Sequence, residues 1–108
     1  MGRYVVVLVT CPTKASARKI ATRLITERLA ACVNILSGVE SRFRWQGKIE
    51  EAREWLLLIK TERRLMTRLS AAVIASHPYE VPEVIALPLH GGSAPYLKWL
   101  ALALRPSQ

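Results

Sequence analysis

Hydrophobic residues run unbroken over positions 4–9 and again over 55–59. The first run is mostly β-branched, and such short runs bounded by turn signals fit strands that are buried on both faces. Pro12 ends the first one. Thr13 follows with the side chain of a helix N-cap, since its hydroxyl accepts from the orphan N–H groups of a first turn. Over residues 14–31, Ala17, Ile20, Ala21, Leu24 and Ala31 recur at helical spacing while Lys14, Arg18, Lys19, Arg23 and Glu27 take other faces, which predicts an amphipathic helix. Residues 32–36 then read as a short strand closed by a Ser37-Gly38 turn. Residues 39–45 and 49–61, separated by Gln46-Gly47-Lys48, read as a long hairpin.

Thr61 and Glu62 open a second predicted helix carrying Leu65, Met66, Leu69, Ala72 and Val73. It stops ahead of His77-Pro78, because the residue before a proline is pushed out of the α region. Pro78 and Pro82 make residues 79–83 an ordered extended loop, 84–87 is a further strand, Gly91-Gly92-Ser93 a break, and 96–104 a terminal helix. The order β-α-β-β-α-β-α is an α+β, ferredoxin-like arrangement with both main helices on one face of an antiparallel sheet. Two helices on one side leave the other face of the doubly apolar strands uncovered. An apolar face of that size exceeds the patch a monomer tolerates, so the pattern predicts a homo-oligomer in which a second copy covers it.

Composition narrows the picture. At 108 residues and 51% hydrophobic, with two cysteines, the chain is one domain spanning 1–108, neither disordered nor disulfide-built. No apolar run reaches the ~18 residues of a membrane span, and the start is too short and wrongly flanked for a secretory signal. Soluble, cytoplasmic and with reduced thiols is the expectation. The net charge of +8 comes from 16 Lys and Arg against eight acids, all glutamates. Without aspartate a Ser-His-Asp triad within one chain is excluded, although glutamate could substitute in it, and no phosphate loop of the G-x-x-x-x-G-K-[ST] kind occurs; no enzyme reaction is expected.

Several stretches resemble the CutA family of divalent-ion tolerance proteins: Val9-Thr10-Cys11-Pro12, Glu27-Arg28-Leu29-Ala30-Ala31-Cys32-Val33-Asn34, Ser41-Arg42-Phe43-Arg44-Trp45-Gln46-Gly47-Lys48-Ile49-Glu50, Ile59-Lys60-Thr61, His77-Pro78-Tyr79-Glu80-Val81-Pro82-Glu83-Val84-Ile85-Ala86-Leu87-Pro88 and Tyr96-Leu97-Lys98-Trp99-Leu100. The resemblance implies a homotrimer of the kind seen in PII-type signalling proteins, a cytoplasmic setting, binding of divalent cations such as copper, and a role in metal tolerance. For copper it implies a cysteine at the end of the first strand and one or two histidines before the Pro-Tyr pair. His77 matches, whereas Val9 and Ser76 stand at the other two positions and Cys11 lies two residues further on. It further implies that Phe43, Trp45, Lys60, Tyr79 and Trp99 belong to the trimer interface or an intersubunit cleft.

Read from the residues themselves, the 77–83 segment is the most site-like. A proline-bracketed loop carries an imidazole and the carboxylates of Glu80 and Glu83, a workable donor set for Cu(II) or Zn(II). The candidate metal ligands are therefore His77, Cys11, Glu80 and Glu83, with Cu(II) or another divalent cation as a possible ligand and no cofactor required. A purely structural role stays open, in which His77 packs at a helix end and the glutamates pair with arginines across a subunit boundary. Cys32 reads as a small core residue and Cys11 as the more exposed thiol. The interleaved Arg42-Phe43-Arg44-Trp45 segment raises a rival, binding of single-stranded RNA by stacking and phosphate pairing. The RNA-recognition stacking motif is absent, so nucleic acid is not the expected partner. A PII-like small-ligand signalling module is the other alternative.

Overall fold

A computed structural model describes residues 2–106. Strand β1 (Tyr4–Cys11) leads to helix α1 (Lys14–Thr26), strands β2 (Cys32–Trp45) and β3 (Lys48–Glu62), a single 3-10 turn at Arg63–Leu65, helix α2 (Met66–Ser76), strand β4 (Ile85–Pro88) and helix α3 (Ala94–Ala103). The four strands form one antiparallel sheet in the order β2-β3-β1-β4. This is the ferredoxin-like arrangement that the alternating runs predict. Among the described residues no helix is long and apolar enough to cross a membrane.

The helices form where expected but end differently. Thr13 caps α1 through a reciprocal pair of hydrogen bonds with Ser16, the serine taking the place of the usual Glu or Gln in a capping box. Helix α1 stops at Thr26 rather than continuing to Ala31. Leu29 N–H donates to Leu24 carbonyl at 2.9 Å and Arg28 N–H to Ile25 carbonyl at 3.1 Å, with Arg28 at φ 56. That is a Schellman stop, usually built on glycine. The expected turn at Ser37-Gly38 is instead a bulge inside one continuous strand. Leu36 pairs with Leu56 and Val39 with Glu54, so β2 carries one extra residue there, and Gly38 takes φ 75 as such bulges require. Beyond it, β2 and β3 project as a two-stranded arm, which stretches the molecule to 47 × 28 × 23 Å.

Thr61 and Glu62 end β3 instead of opening α2. Helix α2 does stop at Ser76, with His77 extended at ψ 139 ahead of Pro78.

Burial alternates along β1. Val5, Val7, Val9 and Cys11 face α1 and α2 and join Leu57, Ile59, Ile20, Leu24, Leu69 and Val73 in the core. Cross-strand partners share a face, so Val6, Leu8, Leu56, Leu58, Ile85, Leu87 and Leu36 lie together on the face away from that core. Leu36 is 41% exposed, Ile85 51% and Leu87 50%. The second apolar face anticipated from the doubly apolar strands therefore exists, and in the single subunit it is open.

Candidate functional site

The 77–83 loop leaves α2, rounds the end of β1 and reaches the base of the arm. His77 fixes its start. The ring Nε2 donates to the Thr10 carbonyl at 2.7 Å, and Nδ1 accepts from the Tyr79 N–H at 3.0 Å. A backbone donor at Nδ1 sets the tautomer with the proton on Nε2. Both ring nitrogens are thereby committed, and the Tyr79 ring packs on the imidazole at 4.8 Å between centroids.

Tyr79 then spans to β3, its hydroxyl donating to Glu54 Oε2 at 2.7 Å. Glu54 shares a face with Leu56 and Leu58 but sits one residue past the last β1–β3 pair, Cys11 with Trp55. The loop occupies the place where β1 would have continued. Burial, and then the Glu54 carboxylate that accepts its hydrogen bond and repels the phenolate, push the Tyr79 hydroxyl up to about 12. It stays a neutral donor throughout the physiological range.

Two adjoining cavities lie between this loop and the arm. One, of about 380 Å³, is lined by Phe43, Trp45, Pro78, Tyr79, Glu80 and Val81. The other, of about 470 Å³, shares Phe43, Trp45, Tyr79 and Val81 with it and adds Thr10, Glu40, Ser41, Arg42, Glu54 and Glu83. Register places Ser41, Phe43 and Trp45 on the same face of the arm as Glu54. One groove thus combines three aromatic rings with four carboxylates and one guanidinium. Arg42 is already engaged, pairing with Glu40 at 3.3 Å and Glu51 at 2.9 Å. Among the described residues Glu54, Glu80 and Glu83 have no cationic partner.

Of the expected metal ligands, Glu80 and Glu83 reach the groove and the other two do not offer donor atoms to it. His77 has no free lone pair while its two hydrogen bonds hold. Cys11 was expected to be exposed, and it is fully buried. The strand alternation continues unbroken through Thr10, so the thiol points into the core. Burial raises it to about 11, with Glu54 adding to the rise and a contact with Ser16 opposing it, so it is neither a ready thiolate nor a ready ligand. Cys32, expected in the core, is half-buried on the open sheet face instead. Among the described residues no three His, Cys, Asp or Glu side chains stand close enough to hold a metal ion. A copper site built from His77, Cys11, Glu80 and Glu83 does not fit one subunit.

Phe43, Trp45 and Tyr79, expected at a trimer interface or an intersubunit cleft, line this groove within the subunit, whereas Lys60 and Trp99 line neither cavity. Lys60 lies on the open face, its Nζ bonded to Asn34 Oδ1, and Trp99 packs on Tyr96 along α3 at 5.4 Å. Glu54 was missed from sequence. Its signal is a carboxylate in the register of Leu56 and Leu58, legible only once the hairpin pairing is known.

Residues 5–103 match the family described as CutA1 divalent ion tolerance protein. The chain belongs to this CutA1 family. It is similar to the divalent-cation tolerance protein CutA of Thermus thermophilus, 52% identical over 88% of this chain and 92% of that protein, and to the chloroplastic CutA protein of Arabidopsis thaliana, 48% identical over 94% of this chain. The chain spans 56% of the Arabidopsis protein's length. The structure of CutA1 from Oryza sativa superposes with a TM-score of 0.93 at 47% identity, covering 98% of this chain and 97% of that one. The Thermus thermophilus structure gives 0.88 at 50% identity over 90% and 94%. The shared fold is that of CutA1 proteins, and divalent-ion tolerance is the function carried by the family's description and by the name of the Thermus thermophilus protein; none of these names describes an enzyme.

Proposed function

We propose that the chain serves divalent-cation tolerance as a homotrimer whose cation sites lie in the groove between the arm and the 77–83 loop. The observation that supports the cation reading is Glu54, a buried groove carboxylate that among the described residues has no cationic partner, in a chain of net charge +8; Glu80 and Glu83 line the adjoining cavities but do not converge with it into a three-ligand site within one subunit. Glu54 is 5% exposed, and a buried carboxylate is ordinarily paired or coordinating. Oxygen donors of this kind suit Mg(II) or Mn(II) as well as Cu(II). Copper would gain an imidazole nitrogen only if His77 gave up its bond to Thr10 or to Tyr79, and Cys11 would have to leave the core. The assembly is supported by the open aliphatic face of the sheet, and threefold closure by the family resemblance. The single-stranded RNA reading draws no support from the sheet, because its central strands present Val6, Leu8, Leu56 and Leu58 where base stacking needs aromatic rings.

The test has two parts. Light scattering is expected to give about 36 kDa, three times the 12.1 kDa chain; a 12 kDa species at micromolar concentration contradicts the assembly. Titration with Mn(II) and with Cu(II) is expected to show saturable binding that weakens about tenfold or more in the double variant Glu80→Gln, Glu83→Gln. Binding unaffected by that change moves the site elsewhere.

A further inference from the structure

We propose that the cavity where the end of α1, the 3-10 turn and the end of α3 meet binds a phosphate group, free or carried by a small molecule, with Arg64 and Arg68 as its main ligands and Arg28 as a third charge. This site is separate from the groove and does not depend on the divalent-cation reading.

A cavity of about 290 Å³ opens there, walled by Glu27 and Arg28 after α1, by Arg64 and Arg68, and by Leu104 after α3. Arg64 and Arg68 are four residues apart, which puts them one turn apart on the same side. Arg68 also borders an adjoining hollow of about 330 Å³ along the seam between α1 and α2. The two main helices pack on the core side of the sheet. The cavity therefore lies on the opposite side from Val6, Leu8, Leu56 and Leu58, the aliphatic face that an assembly would cover.

No glutamate of the chain is left to neutralise Arg68. Six of the eight stand on the arm or the 77–83 loop. The other two are committed, Glu27 to Arg23 at 2.9 Å and Glu62 to Arg3 and Arg64. Arg64 uses only its Nε on Glu62, and among the described residues Arg68 has no hydrogen-bond or ionic partner. Like charges one turn apart destabilise a helix, and an anion between them removes that repulsion.

Arg28 supplies a second, independent indication. It takes φ 56 at the stop of α1, where glycine is usual because a side chain is disfavoured in that conformation. Its Nη1 donates to the Ala103 carbonyl at 2.9 Å, which holds the guanidinium at the junction of α1 and α3. A strained position is thus occupied by the residue whose planar fork matches phosphate oxygens. A carboxylate offers a single charge and one edge, whereas a phosphate group carries close to two charges on three outward oxygens. That is the better match to arginines arriving from separate segments of the chain.

The test is calorimetric titration of the full-length protein with inorganic phosphate, glycerol 3-phosphate and the dicarboxylate malonate, at neutral pH and constant ionic strength. At least one of the two phosphates is expected to bind saturably and about fivefold or more tighter than malonate. Inorganic phosphate alone assigns the site to the free anion, and glycerol 3-phosphate binding as well assigns it to a phosphate carried by a small molecule. Arg68→Gln is expected to weaken binding about fivefold to tenfold and Arg68→Lys less than threefold. Arg28→Gly removes a charge at a backbone position that suits glycine, so it is expected to fold and to weaken binding about fivefold or more; thermal melts establish that each variant is folded. Arg18→Gln, about two turns earlier on α1, is expected to change binding less than twofold. Absence of binding by both phosphates overturns the proposal, as does malonate binding equally well. Equal losses in Arg18→Gln and Arg68→Gln also overturn it, because the anion is then attracted by net charge alone.

Discussion

Glu54 and Glu62 sit on the same strand, on the same face, and both are buried, at 5% and 1% exposure. Their surroundings differ. Glu62 accepts from Arg3 Nε at 2.5 Å and Arg64 Nε at 2.7 Å, whereas among the described residues Glu54 accepts only from the Tyr79 hydroxyl. A carboxylate taken from water is costly unless compensated, and two charge-assisted bonds provide that at Glu62. At Glu54 one neutral donor does not. The pair separates a glutamate held by two cations inside the subunit from one that, among the described residues, has a hydroxyl partner and no cation. Position on the strand explains which is which. Glu62 ends β3 beside the basic 3-10 turn at Arg63–Leu65, while Glu54 lies where β1 has run out and an aromatic loop replaces it.

The contrast is most sharply broken by stripping the cations from Glu62. Arg3→Ala with Arg64→Ala removes both cations from that carboxylate and is expected to lower stability by about 3 kcal/mol, read from urea unfolding at neutral pH. The figure sits at the low end for a broken buried pair because both arginine side chains stand largely in solvent, 64% and 58% exposed. A loss under about 1 kcal/mol would mean that burial at β3 does not require a counter-charge, and the inference from Glu54 would lose its footing.

Glu54→Gln is expected to have the smaller effect, within about 1 kcal/mol, since the amide oxygen still accepts from Tyr79. Its clearer readout is ionisation. Tyr79 is raised to about 12 by burial and by Glu54, against about 10 for a free tyrosine. A folded-state value above the unfolded one means that this contribution to stability is complete below pH 10 and lost as pH rises from 10 through 12. Absorbance at 295 nm is expected to show Tyr79 ionising late in the wild-type protein and earlier in Glu54→Gln. Identical titrations would place Glu54 outside the tyrosine's influence.

Much of the fold was legible because periodicity is a local signal. The runs at 4–9 and 55–59 marked the central strands, and Pro78 marked the end of α2. The misplaced boundaries share a cause, in that tertiary pairing overrode a local cue. Gly38 served a bulge because the strand continued on both sides of it, and Arg28 stopped α1 in a conformation that no glycine announced. The site was half legible. Tyr79, Glu80, Glu83, Phe43 and Trp45 were singled out from the proline-bracketed loop and the aromatic hairpin, and the fold brings them to one groove. Cys11 was misplaced because the proline after it suggested that the strand had already ended. His77 was identified, but its two hydrogen bonds depend on where the Thr10 carbonyl lies, which no sequence spacing states. Glu54 was invisible for the same reason, its meaning resting on a register set 15 residues away in β2, where Val39 is its partner.

The most direct measurement is NMR of the side-chain carboxyl carbons of Glu54 and Glu62 as Mg(II) is added. The account predicts that the Glu54 resonance shifts saturably while Glu62, already neutralised by Arg3 and Arg64, stays fixed. A Glu54 resonance that is stationary, or that moves in step with Glu62, would contradict it.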